Sequence, residues 1–373
     1  MELGFPKKSR LREPPKKLRV GRTQINASDL KEMRRAWRQR RLVIFLGAGV
    51  SIPYGLPSWK NLVLELLFEH AQGTRRFGGL WPHYRRAVAS WMTDYFDYDP
   101  LVLARMVERD FRLRTNASDK HRGLAADDTP FLECLRGHLY ANYREPSAPT
   151  TLEALVTLIT RSNEREGIDS VVTFNFDDLL ERKLQDHQIV VNSITSGQRS
   201  SASGFRIIHA HGCVPMEGPV SRADIIFTEP DYHRLTESVF HWSLSEVVDR
   251  LRKCNVLFVG LSMSDPSLRR LLDASKNSDI PAHWQIQKRH GIRDHEILAA
   301  MTEVERRARD YAALIGTEGA GQKRPAELEQ VIHSALHQAD TYDREVFESM
   351  GVRTVWLDDF DHITDLLNAI PAP

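Results

Sequence analysis

The stretch Leu42-Val-Ile-Phe-Leu-Gly-Ala-Gly-Val-Ser51 decides the fold. Leu42 to Leu46 form an apolar run too short for a helix and rich in strand formers, the pattern of a parallel strand buried on both faces. Gly47-Ala48-Gly49 follows at once, and glycine admits positive φ and lets another backbone or a ligand come close. Beyond Ser58, a candidate N-cap, Trp59, Leu62, Val63, Leu66 and Leu67 recur at helical spacing. Strand, glycine turn and helix in succession cradle phosphate in dinucleotide-binding folds. The usual third glycine, three residues after Gly49, is absent, as is the lysine of a Walker A loop, which argues against a P-loop ATPase.

At 373 residues the chain has room for about two domains or one elaborated α/β domain. Its 41% hydrophobic and 27% charged residues are ordinary for a soluble globular protein. No apolar run approaches the roughly 18 residues that span a bilayer, and the first residues lack the apolar core of a secretion signal. No membrane association is expected, and a reducing cytoplasm is the default location. Cys134, Cys213 and Cys254 are too few for a disulfide framework and too far apart for a four-cysteine zinc site.

The net charge of +1 hides an asymmetry, because residues 1–41 carry 14 Lys or Arg against four acids. Such an arm fits contact with nucleic acid or with an acidic surface, including that of a neighbouring subunit, and equally fits a solvated tail. Residues 1–26 read as an extended arm. Asp29 to Arg41 reads as a basic helix capped by Ser28, with Leu30, Met33 and Trp37 as its docking stripe. The remainder, 42–373, reads as one α/β unit with a helical insertion at about 59–160. Helices are expected near Leu62–His70, Tyr84–Tyr95, Pro100–Phe111 and Phe131–Asn142, with a loop at Thr115–Thr129. Thr151–Thr160 leads back to the sheet.

Further strands are expected at Ser170–Phe174, Phe205–Ala210, Ile225–Phe227, Val256–Val259, Trp284–Gln287 and Val352–Leu357. Helices separate most of them, which predicts a Rossmann-like, doubly wound parallel sheet. Polar residues directly follow four of the apolar strands: Gly47, Gly49 and Ser51; Asn175 and Asp177; His211; Ser262 and Asp265. In open α/β sheets the carboxyl ends of the strands form the ligand crevice, so these four segments are expected to converge there.

Taken in order, GAGVS (47–51) with GLP (55–57), TFNFDDLLE (173–181), HAHGC (209–213), FTEPDYHRL (227–235) and FVGLSMSDPSLRRLL (258–272) resemble a bacterial sirtuin-like domain. The likeness is to the divergent type found in antiphage defence proteins, and it runs from about Leu42 to the C-terminus. The resemblance implies an NAD-binding Rossmann fold with a smaller helical module, and cleavage of the nicotinamide–ribose bond with NAD+ as substrate. It makes Asn175 the asparagine near the ribose and the nucleophile, Asp177 a contact of the nicotinamide carboxamide, and His211 the general base. Gly47, Ala48, Gly49 and Ser51 would cradle the pyrophosphate, and Gly260 to Ser262 would line the adenosine side. Asp265 follows the pattern of the divergent group and is placed with the NAD-binding set.

Protein-deacylating sirtuins carry a zinc ribbon with two paired cysteine motifs after the catalytic histidine. Here only Cys213 and Cys254 lie in that region, so no zinc is expected and a deacylase ranks last. Two alternatives stay open from the residues themselves. Asn175 also fits a helix cap. His209, His211 and Cys213 share a strand face and make a weak metal pattern, with His209 more simply a packed, hydrogen-bonded residue. The expected function is an NAD+ glycohydrolase of antiphage defence, held inactive until triggered. It is expected to form a homo-oligomer and to act with a separate partner, for example a HerA-type ATPase, since no segment beyond the fold is large enough for a fused sensor. The competing readings are a catalytically silent NAD- or ADP-ribose-binding scaffold and an effector that engages DNA through residues 1–41.

Overall fold

The computed structural model describes residues 17–21, 23–71, 98–119, 129–197, 203–222, 225–237, 241–263, 265–276, 282–290, 294–314 and 327–371, with isolated positions between 84 and 95. Seven parallel strands form the central sheet: β3 (Leu42–Leu46), β4 (Ile168–Thr173), β5 (Val191–Ile194), β6 (Phe205–His209), β7 (Asn255–Val259), β8 (His283–Lys288) and β9 (Val352–Leu357). Their order is β5-β6-β4-β3-β7-β8-β9. The chain winds outward from β3 through β4 to β6, then returns to the other side of β3 with β7. That reversal, between β3 and β7, is the switch point of a doubly wound Rossmann-like sheet.

All five residues of β3 are buried. Leu42, Ile44 and Leu46 enter one core and Val43 and Phe45 enter the other, because successive side chains point to opposite faces. Helices α1 (Ala27–Arg38), α5 (Thr151–Thr160) and α12 (Ile363–Ala369) contribute to the first core. Helices α8 (Trp242–Lys253), α9 (Pro266–Ser275) and the end of α11 (Leu328–Ser349) cover the second. The register sets Leu46 opposite both Thr173 and Val259, and Thr173 opposite His209, so four strands end level and their loops emerge side by side.

Between β3 and β4 the described residues are helical, as expected: α2 (Trp59–Ala71), α3 (Pro100–Asp119) and α4 (Thr129–Tyr140), with helical positions also at Tyr84, Trp91 and Tyr95. Helix α3 continues through Thr115 to Asp119, so the expected loop is shorter at its start, and residues 120–128 lie outside the described ones. The remaining helices are α6 (Leu179–Asp186), α7 (Glu229–Glu237) and α10 (Asp294–Leu314), giving twelve among the described residues. In α10 Ile297 and Met301 are buried, while Leu298, Val304 and Tyr311 stay exposed.

Several local expectations are corrected. Lys17–Val20 (β1) and Thr23–Asn26 (β2) pair as an antiparallel hairpin instead of an extended arm; residues 1–16 lie outside the described ones. Helix α1 starts earlier, because Asn26 Oδ1 accepts the Ser28 N–H at 3.0 Å and takes the cap position assigned to Ser28. Strand β5 was not foreseen, and Ile225–Phe227 forms no strand, although Ile226 N–H donates to the His211 carbonyl at 3.0 Å. Among the described residues no helix is long and apolar enough to cross a membrane.

Leu30, Met33 and Trp37 of α1 are buried as the stripe predicts. Arg34 of α1, and Arg40 and Arg41 in the turn that follows it, end on this chain's own carbonyls: Arg34 on Ala369 at 3.1 Å, Arg40 on Asn163 at 2.9 Å and Arg41 on Lys253 at 2.5 Å. Asp29, 7% exposed, fixes the helix to the sheet. It accepts from the Trp284 indole N–H at 3.2 Å and from Arg353 at 2.9 Å. An Asp29→Ala change leaves the buried indole N–H unpaired, and is expected to lower unfolding free energy by about 1–3 kcal/mol in urea denaturation, with Asp29→Asn losing less.

Candidate active site

The glycine turn after β3 is shaped by the turn after β7. Gly49 N–H donates to Gly260 O at 3.0 Å, and Gly47 N–H donates to Val259 O at 3.1 Å. A Cβ on Gly49 would lie 2.8 Å from Gly260 Cα, and one on Gly47 would lie 2.6 Å from Gly260 O. Gly260 itself has φ +67°, where a side chain is strained. These glycines therefore let two backbones touch at the switch point. Val50 N–H and Ser51 N–H are bonded within the turn, to Gly47 O and Ala48 O. Among the amides of residues 47–51, Ala48 N–H is the one these backbone bonds leave for an anion.

Strand β4 feeds the loop that holds Asn175 and Asp177. Asn175 is 8% exposed and its Nδ2 donates to Gly47 O at 3.1 Å and to Ser51 Oγ at 3.2 Å. Ser51 Oγ in turn donates to Asp177 Oδ2 at 2.8 Å. Asn175 is thus no helix cap; the backbone N–H of Leu179 at the start of α6 is taken by Asp177 Oδ1 at 3.2 Å. Both Asn175 amide hydrogens are spent, which leaves its carbonyl oxygen as the free group. Burial pushes the Asp177 carboxyl up to about 6, against the opposing pull of the Ser51 hydroxyl and the Leu179 amide.

His211 follows β6. Its Nε2 lies 3.3 Å from Asp265 Oδ2, and its ring packs edge-on against Phe174 (5.1 Å between centroids) and Tyr232 (5.5 Å). Burial lowers its pKa and the Asp265 carboxylate opposes that shift, so the imidazole is neutral near pH 7. With the ring proton on Nε2, the nitrogen that faces the Asp265 carboxylate, Nδ1 keeps a lone pair. Asp265 also caps α9, its Oδ1 accepting from Ser267 N–H at 2.7 Å, so the helix end fixes the carboxylate. Burial and the neighbouring Asp265 carboxylate both push the Tyr232 hydroxyl well above its ordinary range.

The ten residues singled out from the sequence fall into linked groups. Gly47, Ser51, Asn175 and Asp177 form one hydrogen-bonded set, His211 and Asp265 are paired by charge at 3.3 Å, and the Gly49–Gly260 contact lies between the loops after β3 and β7. Ala48 sits within the glycine turn, and Ser262 is exposed on the loop after β7. His209 is fully buried and bonds to Glu181 at 2.5 Å, with Ser193 Oγ donating to the same oxygen at 2.8 Å. Burial disfavours charge on His209, but Glu181 outweighs it and raises the histidine well above its ordinary range. Among the described residues no three His, Cys, Asp or Glu side chains are grouped as metal ligands.

Some participants were missed. Tyr232 lies within the quoted FTEPDYHRL but carried no chemical signal of its own. Arg222, 9% exposed, donates to Glu108 of α3 at 2.7 Å and to Asp231 at 2.7 Å. Asp231 also accepts from Phe227 N–H at 3.0 Å and Thr228 N–H at 2.8 Å, which shapes the segment that presents Tyr232.

A family profile described as SIR2-like domain matches residues 169–310. The matched span starts in β4 and takes in Asn175, Asp177, His211 and Asp265. Over it the chain is similar to sirtuin-like proteins, a domain type that binds NAD+, and the match fits NAD-related activity in general. No curated protein matches the chain.

Asp177 gives a pH test. A carboxyl raised from 3.8 to about 6 is stabilising only while protonated; that contribution is fully present below the unfolded value and is lost as pH rises through about 6. The difference is worth roughly 3 kcal/mol. Wild-type stability relative to Asp177→Asn is therefore expected to fall by up to about that amount between pH 4 and pH 8, read from denaturant unfolding at each pH.

Proposed function

We propose that the chain is an NAD+ glycohydrolase, splitting NAD+ into nicotinamide and ADP-ribose. The observation that most supports this reading is a neutral His211, oriented by Asp265, at the strand-end crevice into which the Asn175–Asp177 loop also opens. In the reaction the bond between ribose C1′ and the pyridinium nitrogen breaks, its electron pair leaving with neutral nicotinamide. A water oxygen forms the new bond to C1′. His211 Nδ1 takes the water proton while Nε2–H stays on Asp265 and stabilises the imidazolium. The Asn175 carbonyl accepts from the attacking water or a ribose hydroxyl without adding charge. Each Asp177 oxygen retains an acceptor position after its bonds to Ser51 and Leu179, which suits the carboxamide NH2 of nicotinamide. The Ala48 amide and the start of α9 serve the pyrophosphate.

An unregulated activity of this kind would exhaust the NAD+ of its own cell. We place it as a triggered effector of antiphage defence in the cytoplasm, assembled as a homo-oligomer and controlled by a separately encoded partner such as a HerA-type ATPase. Burial of Ser51, Asn175, Asp177 and His211 supports a resting state that must open to admit substrate. The basic residues 1–41 remain a route to nucleic acid, but Arg34, Arg40 and Arg41, which end on this chain's own carbonyls, favour a structural use of that segment.

The deciding measurement is nicotinamide release from NAD+, with products separated by chromatography. His211→Ala and Asn175→Ala are expected to lower kcat by about 100-fold or more, the usual scale of general-base loss. Asp265→Asn keeps the helix cap, since Asn caps as well as Asp. It is expected to lower kcat about tenfold or more and to shift the pH–rate profile, with the melting temperature unchanged. Wild-type protein that binds NAD+ but releases no nicotinamide, alone or with its partner, would make the chain a scaffold.

A further inference from the structure

At the far edge of the sheet from the crevice, a cavity of about 330 Å³ runs beside β9. Three strand spacings separate β9 from β3, about 14 Å. β9 is the last strand of the sheet, so its outer edge has no strand partner within it. The floor includes Ile25, Val355 and Trp356, together with Thr354. The Thr354 Oγ1 is shielded from solvent and has no hydrogen-bond partner, the kind of orphan that a bound molecule satisfies. The Arg289 guanidinium lies over the Trp356 ring at 5.9 Å, and both border the cavity.

The mouth is basic. His337, Asp340, Thr341 and Arg344 fall at i, i+3, i+4 and i+7 of α11 and so share one face, and all four line the cavity. A helix face turned toward the body is normally apolar, and this one is polar. The acids of the cavity already have partners: Asp29 holds Trp284 and Arg353, and Asp340 holds His290 Nδ1 at 2.6 Å. Lys17 and Arg344 form no ion pair among the described residues, and His337 adds ring nitrogens beside them. With Arg353 on Asp29, Lys17 and Arg344 outnumber the one remaining carboxylate, Asp340, so the balance of charge at this mouth is positive. Unpaired cations above an aromatic and hydroxyl floor match an anion joined to a flat ring. The volume sits at the small end of the roughly 300–1,000 Å³ of ligand pockets. A bare phosphate would leave most of it empty.

We infer that this cavity is a second small-molecule site, which takes a phosphorylated ligand with a planar ring, of mononucleotide size, independently of NAD+ in the crevice. Its phosphate meets Lys17, His337 and Arg344, and its ring lies against Trp356.

Calorimetric titration of the full chain with AMP tests this, in an His211→Ala background that preserves added NAD+. One AMP is expected per chain, undiminished by saturating NAD+. Adenosine and inorganic phosphate are each expected to bind at least about tenfold more weakly. Lys17→Glu and Arg344→Glu alter exposed side chains, so the fold should be unchanged, and each is expected to weaken AMP at least about tenfold. Exclusion of AMP by NAD+, indifference to both substitutions, phosphate binding as tightly as AMP, or no AMP binding at millimolar concentration would each overturn the inference.

Discussion

The contact between the glycine turns after β3 and β7 is the constraint on which the rest depends. With Gly49 N–H on Gly260 O at 3.0 Å and no room for a side chain on either turn, the two halves of the sheet are locked at the point where the winding reverses. The loop that ends in Asp265 leaves from one side of this contact, and the Ser51 that organises Asn175 and Asp177 leaves from the other. Level strand ends then bring the β6 loop, and His211, alongside.

Around that contact the chain buries several polar and charged side chains. Buried charge is costly unless paired, and the pairs here are nearly complete: His209 with Glu181, and Arg222 with Glu108 and Asp231. Asp177 is the exception. It has hydrogen-bond donors but no cation in direct contact, so burial raises its pKa instead. An acid and a histidine, both perturbed by desolvation at the strand ends, fit a site prepared for chemistry near neutral pH.

The sheet was legible because β3, β4, β7 and their glycine or polar exits write burial directly into residue type. Strand β5 was not, since Val191-Asn-Ser-Ile194 mixes polar and apolar residues at a sheet edge. The hairpin at 17–26 was hidden by its basic composition, and only its seat against the β9 edge explains it. Within the site, residue identities could be read but partnerships could not. Nothing local to Asp265 says that one oxygen caps α9 and the other faces His211, 54 positions away. His209 and Glu181 are likewise joined only by the fold, across 28 positions. Asn175 shows the reverse case, a residue with ordinary capping chemistry that the tertiary structure draws elsewhere.

Arg222 has a consequence for how the molecule can be rebuilt. Its two carboxylate partners come from different parts of the chain, Glu108 in the helical insertion and Asp231 beside the Tyr232 that touches His211. The insertion is therefore no detachable module. A graft of foreign helices between β3 and β4 would strand a buried guanidinium unless the 222–232 segment were exchanged with it. Swaps between related chains should respect that unit of inheritance rather than the apparent boundary at the sheet.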